Sequence, residues 1–312
     1  MSDNIYTDLA IVIPVYNSRD SLEELSDRLV QTLSVIDKSY RLIFVNDASS
    51  DDSFSVLKSI KAKYSKNITL INLAKNCGQQ HALMCGFNFC NAEFVVTIDD
   101  DLQNPPEELP ILLSKIEMGA DAVYAKYDDK KDLWYKNLGS IFIRKLNNRI
   151  FGENKTLVFS SYRIMRRSLV EEIRRSSTHY PYISGLIRSV TSNIENVDIR
   201  HHKRKYGKSN YSLPKLIELS FNLLVNYSSL PLKITSYIGL AFSLFSFIVG
   251  VFFLFKQIII GQAPAGWTSL IVLVSFNNSL LMVLLYFFGE YISRILKELS
   301  FGRTYRISEV IE

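Results

Sequence analysis

From Ile234 to Gly289 the chain carries a single charged side chain, Lys256, and that removes most folds from consideration. The stretch divides into "ITSYIGLAFSLFSFIVGVFFLF", Ile234 to Phe255, and "WTSLIVLVSFNNSLLMVLLYFFG", Trp267 to Gly289, with Lys256 between them. Crossing ~30 Å of hydrocarbon takes about 20 apolar residues in a helix, and each run has that length. Buried core helices seldom run so far without a charge, so the sequence predicts a hairpin of two membrane-spanning helices. Asn277 and Asn278 are then expected to face another helix. Lys203, Arg204, Lys205, Lys208, Lys215 and Lys233 precede the hairpin, and Arg294, Lys297, Arg303 and Arg306 follow it. The positive-inside rule places both of its ends in the cytoplasm. Near the start, Asp3 and Asp8 stand where a signal peptide would have a basic start and an apolar core, so none is expected.

Upstream the pattern changes to short apolar runs alternating with helical periodicity. Leu9–Val15, Arg41–Asn46, Ile68–Leu73, Phe94–Ile98 and Asp121–Ala125 read as strands. Between them, helices are expected after Ser21, over Asp51–Tyr64, Gly78–Cys90 and Glu107–Glu117. Ser21 and Glu24 have the spacing of a capping box, and Leu22, Leu25, Leu29, Leu33 and Ile36 recur at three and four. Strands that are apolar throughout and separated by helices indicate an α/β fold with a Rossmann-like, mostly parallel sheet covered on both faces. The organisation read from this is a soluble domain over 1–212, a juxtamembrane amphipathic segment over 213–233, and the hairpin with a cytoplasmic tail over 234–312. Within the first, 130–152 interleaves apolar and basic residues as an interfacial helix would. Lys130 to Arg175 holds twelve basic residues against four acidic ones, which beside two membrane spans points to an anionic lipid surface rather than nucleic acid.

In parallel sheets ligands bind outside the carboxyl ends of the strands. Three such ends carry chemistry: "PVYN" after the first strand, "VNDASS" after the second, and "DDDLQNPP" after the fourth. If the chain stays extended past Ile98, Asp99, Asp101 and Gln103 share one side and Asp100 takes the other. Three oxygen ligands on one side suit a hard divalent cation, Mg²⁺ or Mn²⁺, completed by substrate phosphate and water. Asp47 either accepts a hydrogen bond from a base or ribose, or caps the following helix. Other chemistries lack their residues. No G-x-G-x-x-G follows the first strand, which argues against a dinucleotide site. Cys77, Cys85 and Cys90 match no zinc spacing and read as core thiols.

The segments "IPVYN", "VNDASSDDS", "NCGQQHALMCGF", "DDDLQNPPEELP", "RKYGKSNY" and "GEYISRI", in that order, resemble the polyprenyl-phosphate glycosyltransferases of glycosyltransferase family 2. That group includes dolichol-phosphate mannose synthases, bactoprenol glucosyl transferases and, with the greatest likeness, the undecaprenyl-phosphate 4-deoxy-4-formamido-L-arabinose transferases. The likeness covers nearly the whole chain. It implies a GT-A fold, a nucleotide-sugar donor, usually UDP-linked, a polyprenyl phosphate acceptor, and inversion at the anomeric carbon. It also implies a multi-pass protein of the bacterial inner membrane, a homotetramer, and a role in lipopolysaccharide or other envelope glycans. By resemblance, Asp99, Asp101 and Gln103 match the metal and diphosphate motif. Pro14, Tyr16, Asn17 and Asp47 match nucleotide-binding positions, and Asp100, in place of the usual small residue, is grouped with them. Ala48 stands where glycine is common. Lys126, Lys136 and Ser140 fall where relatives hold the acceptor phosphate, often with arginine at the first two, and lysine lacks arginine's bidentate fork. Arg204, Gly207 and Ser209 match a mobile loop that closes over the site and are grouped with the acceptor phosphate. Many relatives have an aspartate, sometimes viewed as a catalytic base, before an aromatic-arginine pair. Here "FSSYR" has Ser161 at that place, and Arg163 remains as a candidate catalytic residue. A lipid phosphate monoester, with a second pKa of roughly 6, is already anionic near neutral pH and needs no strong base. The alternatives are a non-catalytic scaffold that retains nucleotide-sugar binding and a transferase with another lipid acceptor.

Overall fold

The computed structural model describes residues 6–64, 67–127, 157–176, 178, 181–200, 237–241, 244, 245, 248, 252, 255, 259, 266–299 and 305–312. The chain divides into two compact units, Met1–Tyr211 together with Gly302–Glu312, and Ser212–Phe301. The expected interfacial helix over 130–152 and juxtamembrane segment over 213–233 lie outside the described residues.

The first unit is an α/β sheet that opens with β1 (Thr7–Val15), α1 (Arg19–Val35), β2 (Tyr40–Asn46), α2 (Ser53–Lys63), β3 (Ile68–Leu73), α3 (Gln79–Phe87) and β4 (Ala92–Thr97). A 3₁₀ turn at Pro106–Glu108 leads into α4 (Leu109–Glu117), followed by β5 (Ala122–Tyr127). Then come β6 (Arg163–Arg166), α5 (Arg167–Arg175), α6 (Ile183–Val190), β7 (Ile194–Ile199) and finally β8 (Ile307–Ile311). The strand order is β7-β5-β6-β4-β1-β2-β3-β8. β4, β1, β2 and β3 are parallel neighbours, and β5 is parallel to β7. β6 runs antiparallel to both β4 and β5, and β8 antiparallel to β3.

The sheet separates two apolar cores. Leu9, Ile11 and Ile13 of β1 point into one with Leu22, Leu25, Leu29 and Leu33 of α1; Ala10 and Val12 point into the other with α3. The three-and-four spacing on α1 is thus the stripe that buries it. α3 lies very close to β1: a Cβ on Gly86 would meet Val12 Cγ1 at 2.4 Å. Only glycine allows that approach.

Some expectations change. Ser21 does not cap α1, whose N-cap is Ser18; it lies within the first turn. A capping box needs the serine outside the helix, and here the helix starts earlier, at Arg19. Helix α3 stops at Phe87 rather than Cys90. Three strands had no forerunner in the periodicity reading. β6 and β7 lie beyond the alternating region, and β8 comes from the stretch expected to be a tail.

In the second unit, α7 (Trp267–Leu299) is one helix of 33 residues that contains the second charge-free run. Residues 237–241 of the first run are also helical. A Cβ on Gly239 would lie 3.0 Å from Leu284 Cδ1, so residues of the two runs pack on each other. Among the described residues no helix is long and apolar enough to cross a membrane.

Candidate active site

β1, β2 and β4 end at Val15, Asn46 and Thr97, side by side in the sheet. The loops that follow are tied together by their own polar groups. Tyr16 N–H donates to Asp100 Oδ2 at 3.2 Å, Asn17 N–H to Ser49 Oγ at 3.0 Å, and Ser18 N–H to Ser53 Oγ at 3.0 Å. Ser21 Oγ donates to the Asp100 carbonyl at 2.6 Å, so the serine that fails to cap α1 fastens it to the aspartate turn. Asn17 and Ala48 both take left-handed backbone, φ 52° and 51°. Asparagine tolerates that region; alanine is strained there.

The aspartates are not presented by a continuing strand. β4 stops at Thr97, residues 100 and 101 form a turn, and Leu102 has φ 61°. Alternation of side chains therefore ends before Asp99, and turn geometry sets where each carboxylate goes. Asp99 accepts from Gln79 Nε2 at 2.6 Å and from Ser161 Oγ at 2.5 Å. Asp101 Oδ1 accepts from the Gln103 backbone N–H at 3.1 Å. Asp100 is not a bystander. Burial pushes its carboxyl up to about 7, and the negative charges of Asp99 and Asp101 add to this against the hydrogen bonds from Ser18 and Tyr16. Tyr127 is driven up by the same causes in the same order, burial and then Asp99 and Asp101. Its hydroxyl donates to Asn104 Oδ1.

A concentration of negative charge that lifts two neighbours is a site that a hard divalent cation would relieve, and the carboxylate oxygens of Asp99 and Asp101 are the right donors for one. Among the described residues no group of three His, Cys, Asp or Glu side chains forms a complete cage. By donor chemistry alone, the carboxylates of Asp99 and Asp101 suit a hard divalent cation that takes its other ligands from substrate phosphate and water.

Asp47 is 3% exposed and neither caps α2 nor stands open. Its two oxygens accept the backbone N–H groups of Cys77 and Gly78, at 2.7 and 2.8 Å, and so fix the loop that leads into α3. Pro14 is buried within β1 opposite Val45, while Tyr16 is exposed. Lys126, near the end of β5, pairs with Asp198 of β7 at 2.8 Å. Lys136, Ser140, Arg204, Gly207 and Ser209 lie outside the described residues. Arg163 does not line an open crevice. It is 3% exposed, donates Nη1 to Ser184 Oγ at 3.0 Å, and lies with its guanidinium carbon 5.6 Å from the Tyr124 ring centre. Its Nε has no hydrogen-bond partner among the described residues.

Two residues reach the aspartates that periodicity did not find. Gln79 belongs to the motif "NCGQQ" but carries no pattern of its own. Ser161 stands out in the sequence only as a substituted position; its hydroxyl arrives on Asp99 because Thr97 Oγ1 holds the Ser161 carbonyl at 2.6 Å.

The model of the family described as glycosyl transferase family 2 matches residues 10–174. An undecaprenyl-phosphate 4-deoxy-4-formamido-L-arabinose transferase from Proteus mirabilis is 30% identical over 305 residues, 97% of this chain and 94% of that protein. The enzyme of that name from Yersinia pestis is 31% identical over 306 residues, 97% of this chain and 93% of its own. Among solved structures, glucosyl-3-phosphoglycerate synthase from Mycobacterium tuberculosis, crystallised with Mg²⁺ and UDP, superposes with TM-score 0.54 at 17% identity, covering 71% of this chain and 79% of that one. The same synthase with Mn²⁺, UDP and its product gives TM-score 0.53 at 18% identity, covering 71% and 80%. These structural likenesses bear on the fold.

Proposed function

Since the chain belongs to glycosyltransferase family 2 and is a glycosyltransferase, we propose that it moves a sugar from a uridine diphosphate donor to a polyprenyl phosphate, undecaprenyl phosphate being the acceptor its relatives name. A phosphate oxygen of the lipid attacks the anomeric carbon, the bond from that carbon to the diphosphate breaks, and configuration inverts. The observation that carries this reading is the convergence of the β1, β2 and β4 ends on the Asp99–Asp101 turn. The protein's part is to hold and to stabilise charge. Asn17 and Tyr16 line the donor side, Asp47 holds the loop that borders it through the Cys77 and Gly78 amides, and Asp100 fastens the turn to β1. Mg²⁺ or Mn²⁺ held by Asp99 and Asp101, with Gln103 beside them, would supply positive charge for the departing diphosphate. Gln79 and Ser161 fix the orientation of Asp99 in advance, which is how a site stabilises charge without reorganising. No base is needed for an acceptor that is already anionic, which suits a serine at position 161. Arg163 is buried and has no carboxylate partner among the described residues. A buried guanidinium without a counter-ion is costly, and we assign it an anionic substrate group as partner, one that must displace what now covers Arg163, since its side chain does not face the crevice.

We also propose that the second unit is a membrane hairpin, with the first unit on the cytoplasmic side. Strand β8 supports an even number of crossings, because a chain that leaves a sheet and later returns to it must come back to the side it left. At 1.5 Å per residue α7 measures about 50 Å, beyond the ~30 Å required. Many described side chains of this unit are large, apolar and exposed, Leu240 at 66%, Phe252 at 62% and Met282 at 64% among them. Such a surface needs lipid or another protein against it.

The test is transfer of radiolabel from a nucleotide sugar into an organic-extractable lipid. The wild-type chain is expected to label lipid. Asp101→Asn is expected to lose transfer by about two orders of magnitude or more, the scale of removing a charge-stabilising group, while remaining folded and membrane-inserted. Full activity in that variant with added metal would sink the assignment, and nucleotide binding without lipid label would identify a scaffold instead.

A further inference from the structure

A line of hydrogen bonds crosses the donor side of the sheet from its outer edge to Asn17. Asn17 N–H donates to Ser49 Oγ at 3.0 Å. Ser49 Oγ donates to Asn46 Oδ1 at 2.6 Å, and Asn46 Nδ2 donates to Asn72 Oδ1 at 2.7 Å. The Asn72 carbonyl accepts from Ser308 Oγ of β8 at 2.9 Å. Polarity along the first three links is fixed by chemistry. A backbone N–H can only donate, so the Ser49 hydroxyl hydrogen is released toward Asn46, whose amide must then present its nitrogen to Asn72. Asn46 is 2% exposed, and burying an amide is tolerable only with both ends satisfied.

The outer anchor is also specific. The β3–β8 register shifts between Asn72 and Leu73: Asn72 faces Glu309 while Leu73 faces Ile307. Ser308 is the extra residue, and bulges of this kind re-aim a side chain. Two further bonds clamp the same corner, Ala74 N–H to the Arg306 carbonyl at 2.8 Å and Asn88 Nδ2 to Tyr305 Oη at 2.7 Å. The loop that starts at Ala74 is the one whose Cys77 and Gly78 amides hold Asp47.

We propose that Asn72, Asn46 and Ser49 are positioning residues for the nucleoside diphosphate, forming a relay that β8 anchors at the sheet edge and that sets the left-handed Asn17 against the second-strand loop. This rests on the reading of the site as a nucleotide-sugar site. The relay acts on donor affinity and leaves the bond-making step alone, because its hydrogen bonds run from Ser308 to Asn17 along the second-strand side, while the described bonds to Asp99 come from Gln79 and Ser161.

The test uses the full chain, UDP with Mn²⁺ as the calorimetric probe, and steady-state transfer. Asn72→Leu removes the acceptor for Asn46 Nδ2 and Ser49→Ala the donor to its Oδ1, so each leaves one end of that buried amide unpaired, and Tm is measured beside binding to separate lost stability from lost affinity. Each is expected to weaken UDP binding and raise donor KM about fivefold, the worth of one net hydrogen bond, with kcat and acceptor KM within about twofold of wild type. The double variant is expected to be little worse than either single one, as members of one network overlap in their effects. Asn72→Asp keeps the acceptor oxygen and is expected to bind like wild type. Wild-type affinity in Ser49→Ala, fully multiplicative losses in the double variant, or equal losses in Asn72→Asp and Asn72→Leu would each overturn the relay. Failure of the wild-type chain to bind UDP with Mn²⁺ would overturn the reading of the site itself, and the relay with it.

Discussion

β6 and β8 are the two strands that run against their neighbours, and they enter the sheet by opposite routes. β6 is inserted between β4 and β5, and its first three residues are buried. β8 is added outside β3 after the entire apolar unit has intervened, and most of its residues are exposed. The residues leading into the central strand bring Ser161 to Asp99, and the strand's first residue, Arg163, is buried beside them against Ser184 and Tyr124. The edge strand brings no side chain there, but it covers the open hydrogen-bonding edge of β3 and ties the end of the chain to the donor loops. An antiparallel strand in the middle of a parallel sheet thus delivers chemistry, whereas one at the border delivers closure and connection.

The sharpest way to break this contrast is to change β6 without unfolding it. Ser161→Ala removes a hydrogen bond to a carboxylate, worth about 1.5–3 kcal/mol, and is expected to lower kcat roughly tenfold to a hundredfold with little change in Tm. Arg163→Met replaces a buried charge by an apolar side chain of similar length. Such replacements are often neutral or stabilising, so Tm is expected to hold or rise while transfer falls about a hundredfold. Transfer within threefold of wild type would make Arg163 a packing residue and remove half of what distinguishes the central strand.

The edge strand should respond in the reverse sense. Deleting residues 305–312 uncovers β3 and removes the Lys58–Glu309 pair and the clamps on Ala74 and Asn88. We expect about 2 kcal/mol of lost stability, a fall of ~4–8 °C in Tm for a domain of this size, and a greater tendency to aggregate through the bared edge. Donor KM should rise and kcat should stay within about threefold. A large fall in kcat at unchanged Tm would mean that β8 acts on the chemistry, and the two strands would no longer differ in kind.

The same contrast explains what the sequence could reveal. β1 to β5 are apolar runs separated by amphipathic helices, and local periodicity finds such elements because each is specified by its own residues. The ends of β1, β2 and β4 then follow from topology, which is why Tyr16, Asn17, Asp47 and the aspartates could be grouped before any contact was known. β6 and β8 are short, and what places them is pairing with residues far away in the chain, Thr97 with Arg163 and Asn72 with Glu309. No local pattern encodes that. The alternation of Asp99, Asp101 and Gln103 failed for a related reason: a strand's period applies only while the strand lasts, and β4 ends at Thr97. Asp47 could be named but not given a role, since its partners are backbone N–H groups of Cys77 and Gly78, which have no sequence signature.

Away from both strands, a close-packed contact between parallel elements offers a control of purely structural character. Gly86→Ala forces a methyl group to 2.4 Å from Val12 Cγ1, and α3 or Val12 must move. Overpacking of this sort costs about 1–3 kcal/mol, partly offset by alanine's better helix propensity of about 1 kcal/mol. A net loss of about 1–2 kcal/mol is expected by denaturant unfolding. Because α3 carries Gln79 at its start, a shift of the helix should also lower transfer more than the stability loss alone implies. A variant as stable and active as wild type would show that the α3–β1 approach is looser than the structure has it.

The smallest effect expected is a gain. Ala48 lies between Asp47 and Ser49, one holding the α3 loop and the other part of the relay, and its φ of 51° is left-handed. An L-residue in that region is strained by about 1–2 kcal/mol, while glycine there is unstrained but loses more backbone freedom on folding, by roughly 0.5–1 kcal/mol. The balance favours Ala48→Gly by about 0.5–1 kcal/mol, a rise of ~1–4 °C in Tm. Donor KM should not change, because the left-handed turn is already formed in the wild type and glycine only relieves it. If Tm falls, the turn is not left-handed in solution. If Tm rises but donor KM rises with it, the rigidity of alanine is itself holding Asp47 and Ser49 in register, and the donor side depends on local stiffness as well as on its anchor at the sheet edge.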